Sequence, residues 1–282
     1  MKNQEIAQLF FEEFLGEKAT AFLALPQSGS ARMNFIGKSS NETYVITYNE
    51  NLLENEAFFY FTQVFSDLKL NTPQIFKINE ERKLYIQEFL GEKTLSEIIT
   101  LEGESERVKS LVKQTLKHLF ELQKKTQNKI DFSKTFEYGK YDELPITHDL
   151  YYFKNYLIDI LELPYHKSTL LKEFKKIVQK IENLAPKSLM IRDFQARNIL
   201  VNDQDEVFFI DYQAAMEGPA LYDVVSFLFQ AKANFSENFK NEMLEYYFSF
   251  HPSEQRNELE KSLKYCKMIR FIQVLGAYGF RG

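Results

Sequence analysis

Apolar and polar residues along this chain follow two rhythms, and the change from one to the other divides it. In residues 4–16, Ile6, Leu9, Phe10 and Phe14 recur at helical spacing with acids opposite, which predicts an amphipathic helix. The period then shortens. Runs at 21–25, 33–37 and 43–48 are β-prone, and turn-rich breaks at 26–30 and 38–42 separate them, so three antiparallel strands are expected. Helical spacing returns over 51–68, with Leu53, Phe58, Phe61, Val64 and Phe65 as its apolar stripe. Two further strands follow in PQIFKIN and KLYIQEFL, joined by the polar turn Glu80-Glu81-Arg82.

From Ser105 onward the pattern is helical, with Val108, Leu111, Val112, Thr115, Leu119 and Leu122 on one face. Helices are expected over 148–162 and 168–184, the second capped by Ser168, with an irregular segment at 128–146. Gly218-Pro219 predicts the start of another helix, and 236–250 and 253–276 read as closing helices. No repeat or flexible linker interrupts the series. The chain therefore divides near residue 91 into a sheet-bearing part, 1–90, and a helical part, 91–282.

One stretch breaks the helical character, LMIRDFQARNILVNDQDEVFFIDYQAAMEGPALYD at 189–223. Its apolar runs at 199–201 and 207–210 flank the turn-forming NDQDE, which predicts a β-hairpin. Asp193 and Asn198 precede the hairpin and Asp211 follows it, so strand pairing would gather two carboxylates and a carboxamide at one end. Oxygen ligands of this kind suit Mg²⁺, which takes one or two protein carboxylates and completes its shell with water and phosphate oxygens. The implied partner is a nucleotide.

The order D-x-x-x-x-N, hairpin, apolar residue, Asp resembles the catalytic loop and metal-binding Asp of protein-kinase-like phosphotransferases. That resemblance implies a bilobal α+β fold, with a five-stranded antiparallel sheet in a small N-terminal lobe and a larger helical lobe behind it. It implies ATP and Mg²⁺ as cofactors, Asp193 as the base for a substrate hydroxyl, and Asn198 and Asp211 as metal ligands. Arg192 would brace the loop. Gln195 and Arg197 would face substrate or γ-phosphate, Arg197 as a neutralising cation or as part of a salt bridge within the loop. Asp223, in G-P-x-x-Y-D, would hydrogen-bond the catalytic-loop backbone.

In the sheet-bearing part, the first break would cover phosphate, which brings Ser28, Gly29, Ser30 and then Arg32 to the nucleotide. An ordinary hairpin turn and a solvated Arg are the alternatives. The backbone of Glu88 and Leu90 would bind adenine, and Glu56 stands where the template places a helix Glu. His148 and Asp149 begin a helix that would flank the acceptor pocket, with Tyr151, Tyr152 and Lys154 lining it; a helix N-cap followed by a core stripe is the alternative there. Two departures matter. The third strand, YVITYN, lacks the phosphate-gripping Lys, and Lys38 is not at an equivalent position. The His of H-x-D is Ile191, and D-F-G reads Asp211-Tyr212-Gln213.

These departures point to small-molecule kinases of the aminoglycoside/choline type. Among them, RDFQ-A-RN, IDYQ and G-P-x-x-Y-D look like the anomeric N-acetylmuramate/N-acetylglucosamine kinases of cell-wall recycling. The expected function is ATP-dependent phosphorylation of an amino-sugar hydroxyl. An aminoglycoside or choline-like acceptor keeps the same chemistry. A nucleotide-binding module without turnover is the reading that the missing Lys and His suggest, and the intact base and metal ligands oppose it.

Composition narrows the partners. A net charge of −5 lacks the basic excess of a nucleic-acid binder. The single cysteine, Cys266, allows no intrachain disulfide, fits a reducing cytoplasm, and sits at helical spacing as a core residue. Four scattered histidines show no zinc pattern. No apolar run approaches the ~20 residues of a membrane span, and the acidic N-terminal stretch is unlike a secretory signal. The closing GAYGFRG is expected either to continue into further chain or to pack on the body.

Overall fold

The computed structural model describes residues 2–26 and 31–281. Helix α1 (Lys2–Leu15) packs on a five-stranded antiparallel sheet of β1 (Ala21–Ala24), β2 (Met33–Lys38), β3 (Thr43–Tyr48), β4 (Ile75–Ile78) and β5 (Leu84–Glu88). The five antiparallel strands are those that the alternating pattern predicts, and they lie in the order β1-β2-β3-β5-β4. The buried face of α1 differs from the expected one: Ala7, Phe10 and Phe11 are inside, whereas Ile6 and Leu9 are exposed. The cause lies on the sheet, where Gly37 leaves room for the Phe11 ring that any Cβ would fill.

Helix α2 (Leu52–Asp67) starts at Asn51, whose side chain accepts the Glu54 N–H. Phe58, Phe61 and Phe65 are buried as expected, but Leu53 is exposed. In this first turn Asn55 faces inward instead, donating to the carbonyls of Asn49 at 3.0 Å and Arg82 at 2.8 Å.

The helical part comprises α3 (Leu95–Glu102), α4 (Glu106–Lys125), α5 (Glu143–Phe153), α6 (Lys167–Glu182), α7 (Leu221–Leu228), α8 (Glu237–Phe248) and α9 (Ser253–Arg281). All six positions of the α4 stripe are buried. Helix α5 begins earlier than the pattern suggests, because Asp142 caps it by accepting the Leu144 N–H, and it runs on into a π-helical turn, Lys154–Ile158. The cap position of α6 belongs to His166; Ser168 lies inside the helix and bonds the His166 ring. Gly218-Pro219 closes a strand rather than opening a helix. Strand β10 (Met216–Pro219) pairs with β7 (Lys187–Met190), placing Gly218 opposite Ser188, and α7 starts only at Leu221. Gly218 packs on the Met190 side chain without space for a Cβ, and Pro219 sits at the strand end, where its missing N–H costs least.

The predicted hairpin is β8 (Ile199–Val201) and β9 (Val207–Phe209), extended by the two-residue β6 (Lys93–Thr94). One hydrophobic core runs without a break from Phe58, Phe61 and Phe65 of α2 through α4 and the hairpin to α7 and α8, so the sheet-bearing and helical parts share an interior. Cys266 lies in it, fully buried, and burial pushes its thiol up to about 12. That is the structural role its spacing predicts. No helix among the described residues is long and apolar enough to cross a membrane.

The closing segment packs on the body. Phe280 lies 4.9 Å from Tyr156 between ring centres, and α9 approaches the π-turn through two glycines. A Cβ on Gly276 would stand 2.9 Å from Phe153 N, and one on Gly279 would stand 2.7 Å from the Tyr156 carbonyl carbon. Because backbone cannot step aside as a side chain can, Gly279→Ala should destabilise the protein by about 1–3 kcal/mol. Calorimetry should show this as a melting temperature lower by about 2–8 °C.

Candidate active site

The hairpin register builds the site. Ile199 pairs with Phe209, and at the open end the Ile210 N–H donates to the Asn198 carbonyl at 3.1 Å, which sets Asn198 beside Asp211. Asp193 joins them through the turn: the Asn198 amide donates to the Asp193 carbonyl oxygen at 2.9 Å. The same amide lies 3.4 Å from Asp193 Oδ2 and 3.3 Å from Asp211 Oδ2. Asp193, Asn198 and Asp211 thus meet, as their spacing predicts. Arg192 and Asp211 both have positive φ, 74° and 64°, in the region that non-glycine residues seldom adopt. Strain of this kind persists where the surroundings impose it, often at functional sites.

The two carboxylates are held alike. The segments Asp193-Phe194-Gln195 and Asp211-Tyr212-Gln213 share one pattern: the aromatic ring is buried and the Gln amide turns back onto its own Asp. Gln213 Nε2 donates to Asp211 Oδ1 at 3.1 Å, and Gln195 Nε2 donates to Asp193 Oδ1. Each carboxylate also meets a guanidinium. Arg197, about half exposed, donates to Asp193 Oδ2 at 2.7 Å, and Arg32 binds Asp211 Oδ1. Arg270 of α9, with 6% of its surface exposed, places Nη2 3.9 Å from Asp193 Oδ1.

Behind the loop, Asp223 accepts the N–H groups of Ile191 at 2.7 Å and Arg192 at 3.0 Å. It braces the backbone as its motif suggests. Burial pushes its carboxyl up to about 7, although the two N–H bonds and nearby Arg270 favour the charged form. Ile191, in place of the expected His, is buried in the main core.

Those of the remaining expected site residues that the structure describes have partners of their own. Ser28, Gly29 and Ser30 fall outside the described residues. Asp149 is not presented to an acceptor: it is buried, pairs with Arg192 at 2.8 Å, and accepts the Tyr141 hydroxyl at 2.7 Å. Its role is to anchor Arg192. Tyr152, one turn further along α5, stands in an aromatic group with His148, Tyr156 and Phe280. Glu88 commits its N–H to the Gln74 carbonyl and its carboxylate to the Gln74 N–H. Glu56 is turned outward and paired with Arg82, so the acid of α2 at the site is Glu54, 3.5 Å from Arg32 Nε. Helical phase decides this, since residues two apart point in different directions. The N-cap pattern Asn51-x-x-Glu54 was the signal available in the sequence. The doubled D-aromatic-Q pattern likewise marked Gln213, but nothing local marked Arg270.

Asp211 and Asn198 supply oxygen donors of the kind a hard cation takes. The Asn198 amide N–H groups go to the Asp193 carbonyl and to Asp211 Oδ2, so its side-chain carbonyl is the atom that would meet an ion. Such an ion would have to share Asp211 with the Arg32 guanidinium on Oδ1. Among the described residues no three His, Cys, Asp or Glu are grouped to hold a metal. An ion here would need further ligands from phosphate and water, as Mg²⁺ commonly takes.

The profile of the phosphotransferase enzyme family matches residues 25–257. The chain belongs to that family. It is a phosphotransferase, with the kinase-like fold that its motifs imply. The choline kinase LicA from Streptococcus pneumoniae superposes with a TM-score of 0.63 at 12% identity, covering 100% of this chain and 97% of the other. The gentamicin complex of the phosphotransferase APH(2″)-IIa gives 0.61 at 18% identity, over 97% and 95% of the two chains. A Plasmodium vivax ethanolamine kinase gives 0.61 at 14% identity, over 89% and 74%. LicA has also been solved with AMP, and a further phosphotransferase of this fold with ADP and hygromycin B. No curated protein sequence matches the phosphotransferase.

Proposed function

We propose that this phosphotransferase moves the γ-phosphoryl group of ATP to a hydroxyl of an N-acetylated amino sugar of the N-acetylmuramate/N-acetylglucosamine type. The observation that carries the choice of acceptor is the charge around the base. Arg197 and Arg270 both reach Asp193, while Asp149, the carboxylate expected at the acceptor, is closed off by Arg192. A quaternary ammonium or polyamine acceptor would bring its cation against two guanidiniums. A neutral acetamido sugar, or one bearing a carboxylate, would not.

Asp193 would take the proton of the acceptor hydroxyl as that oxygen bonds the γ-phosphorus and the bond to the β-phosphate breaks, releasing ADP. Gln195 and Arg197, which donate to the two Asp193 oxygens, would hold it in place. Asn198 and Asp211 would hold Mg²⁺, which neutralises phosphate charge when bound. Gln213 steadies Asp211, and Arg197 stands where it can offset charge on the transferring group. Positioning and charge neutralisation account for most of the rate enhancement in such chemistry.

The test is ATP consumption against N-acetylmuramate, N-acetylglucosamine, kanamycin and choline. The expected kcat/KM for an amino sugar exceeds that for either cation by more than about 100-fold, because like charges brought together cost several kcal/mol. Turnover confined to kanamycin or choline would discard the sugar and keep the mechanism. Nucleotide binding without turnover on any of the four would favour a binding module.

A further inference from the structure

Strand β3 carries no Lys, and one of its buried positions is held by a hydrogen-bonded Thr. On β3, Thr47 is buried; it donates to Asn34 Oδ1 across the β2–β3 pair at 2.8 Å and accepts from Gln87 at 3.0 Å. A Lys there would have to break this arrangement. Arg32, the residue immediately before β2, instead sends a guanidinium into the site. Its side chain is 16% exposed and that of Glu54 is 15% exposed, so both are largely withdrawn from water. Arg32 reaches Asp211 with Nη2 and Glu54 with Nε, and the buried Nε makes no hydrogen bond.

Glu54 is itself held in place. Asn49, fully buried at the end of β3, donates to Glu54 Oε2 at 2.8 Å, which leaves Oε1 towards Arg32. A fixed acid on the first turn of α2 therefore aims a buried cation at the carboxylate that would hold the metal.

We propose that Arg32 and Glu54 form the phosphate-gripping ion pair of this enzyme, with the cation relocated from β3 to the start of β2. Arg32 binds the nucleotide phosphates and Glu54 is its positioning residue. A planar guanidinium with several N–H donors can serve Asp211 and a phosphate oxygen together, whereas an ammonium acts as a point charge. The inference rests on the phosphotransferase reading of the site and is independent of which acceptor is used.

Titration calorimetry with ADP and Mg²⁺, without acceptor, tests it. Arg32→Ala should weaken ADP binding by about 10- to 100-fold, the range for losing a charge-assisted hydrogen bond or two. Glu54→Gln should weaken it by about 3- to 10-fold, and Glu56→Gln should leave it unchanged. Returning the cation to β3, as Arg32→Ala with Thr47→Lys, should recover most of the loss. Wild-type affinity in Arg32→Ala, or equal effects at Glu54 and Glu56, would overturn the proposal. So would failure of the double variant to recover affinity if it melts like the wild type. If that variant melts low, Arg32→Gln, which removes the charge and keeps part of the side chain, decides: a loss within about threefold of that of Arg32→Ala supports a charge role, and wild-type affinity overturns it. A failed acceptor panel with these affinities as expected would sink the sugar reading alone, whereas a wild type that binds no ADP would sink both.

Discussion

Asp193→Asn should lower kcat by about 10²- to 10⁴-fold, the usual contribution of a positioned base. ADP affinity should stay within about threefold of wild type. Asn keeps the shape and a carbonyl that can accept one of the two bonds, from Gln195 or from Arg197, but it cannot take a proton. The loss should therefore fall on kcat and appear equally in kcat/KM, the signature of an interaction made only in the transition state. Steady-state kinetics at saturating ATP, with calorimetry beside them, separate the two quantities. An unchanged kcat would remove Asp193 from the chemistry and leave its two guanidinium partners without a catalytic reason.

The other large effect is on folding. Asp223 is fully buried, and its two oxygens serve two backbone N–H groups of the catalytic loop. Asp223→Ala would strand both donors, each at about 1–3 kcal/mol, so a loss of about 3 kcal/mol is expected in denaturant melts. The pH dependence has a definite sign. Burial raises this carboxyl to about 7, above its unfolded value. The folded state therefore holds a proton that the unfolded state releases. The group's contribution is complete below about pH 4, the unfolded carboxyl value, and declines as pH rises through about 7. Wild-type stability should fall across that window more steeply than that of Asp223→Ala, and parallel curves would contradict the raised value.

Much of this was legible in the sequence, for reasons that differ by region. The five strands and α4 could be read because alternation and the 3.6-residue period are enforced by one buried face. The hairpin and its three polar residues could be read because their relation is local: Asn198 and Ile210 are neighbours across a short turn. Glu54 is not legible from the family template, which points to Glu56, because helical phase decides which of the two faces Arg32. Asp149 drew attention as an acid near the acceptor, yet its partner Arg192 lies 43 residues away in sequence. Arg270 was invisible for the same reason, since a contact from α9 to the loop leaves no periodic trace. Leu53 and the β7–β10 pair show the other limit, where a buried Asn or a two-stranded ribbon overrides the local pattern.

Tyr212 joins the segment that carries Asp211 to α2. Its ring stacks on Phe58 at 5.1 Å and meets Phe65 edge-on at 5.0 Å, and its hydroxyl bonds Thr62 at 2.7 Å. The same helix carries Glu54 in its first turn. In protein kinases, activity is switched by moving the helix and the metal-binding segment relative to each other. Here such a movement would tear a buried ring from three partners on one helix, and Gln213 stands where a glycine would have let the backbone turn over. Tyr212 thus ties the segment carrying Asp211 to the helix carrying Glu54, so that the two would have to move together.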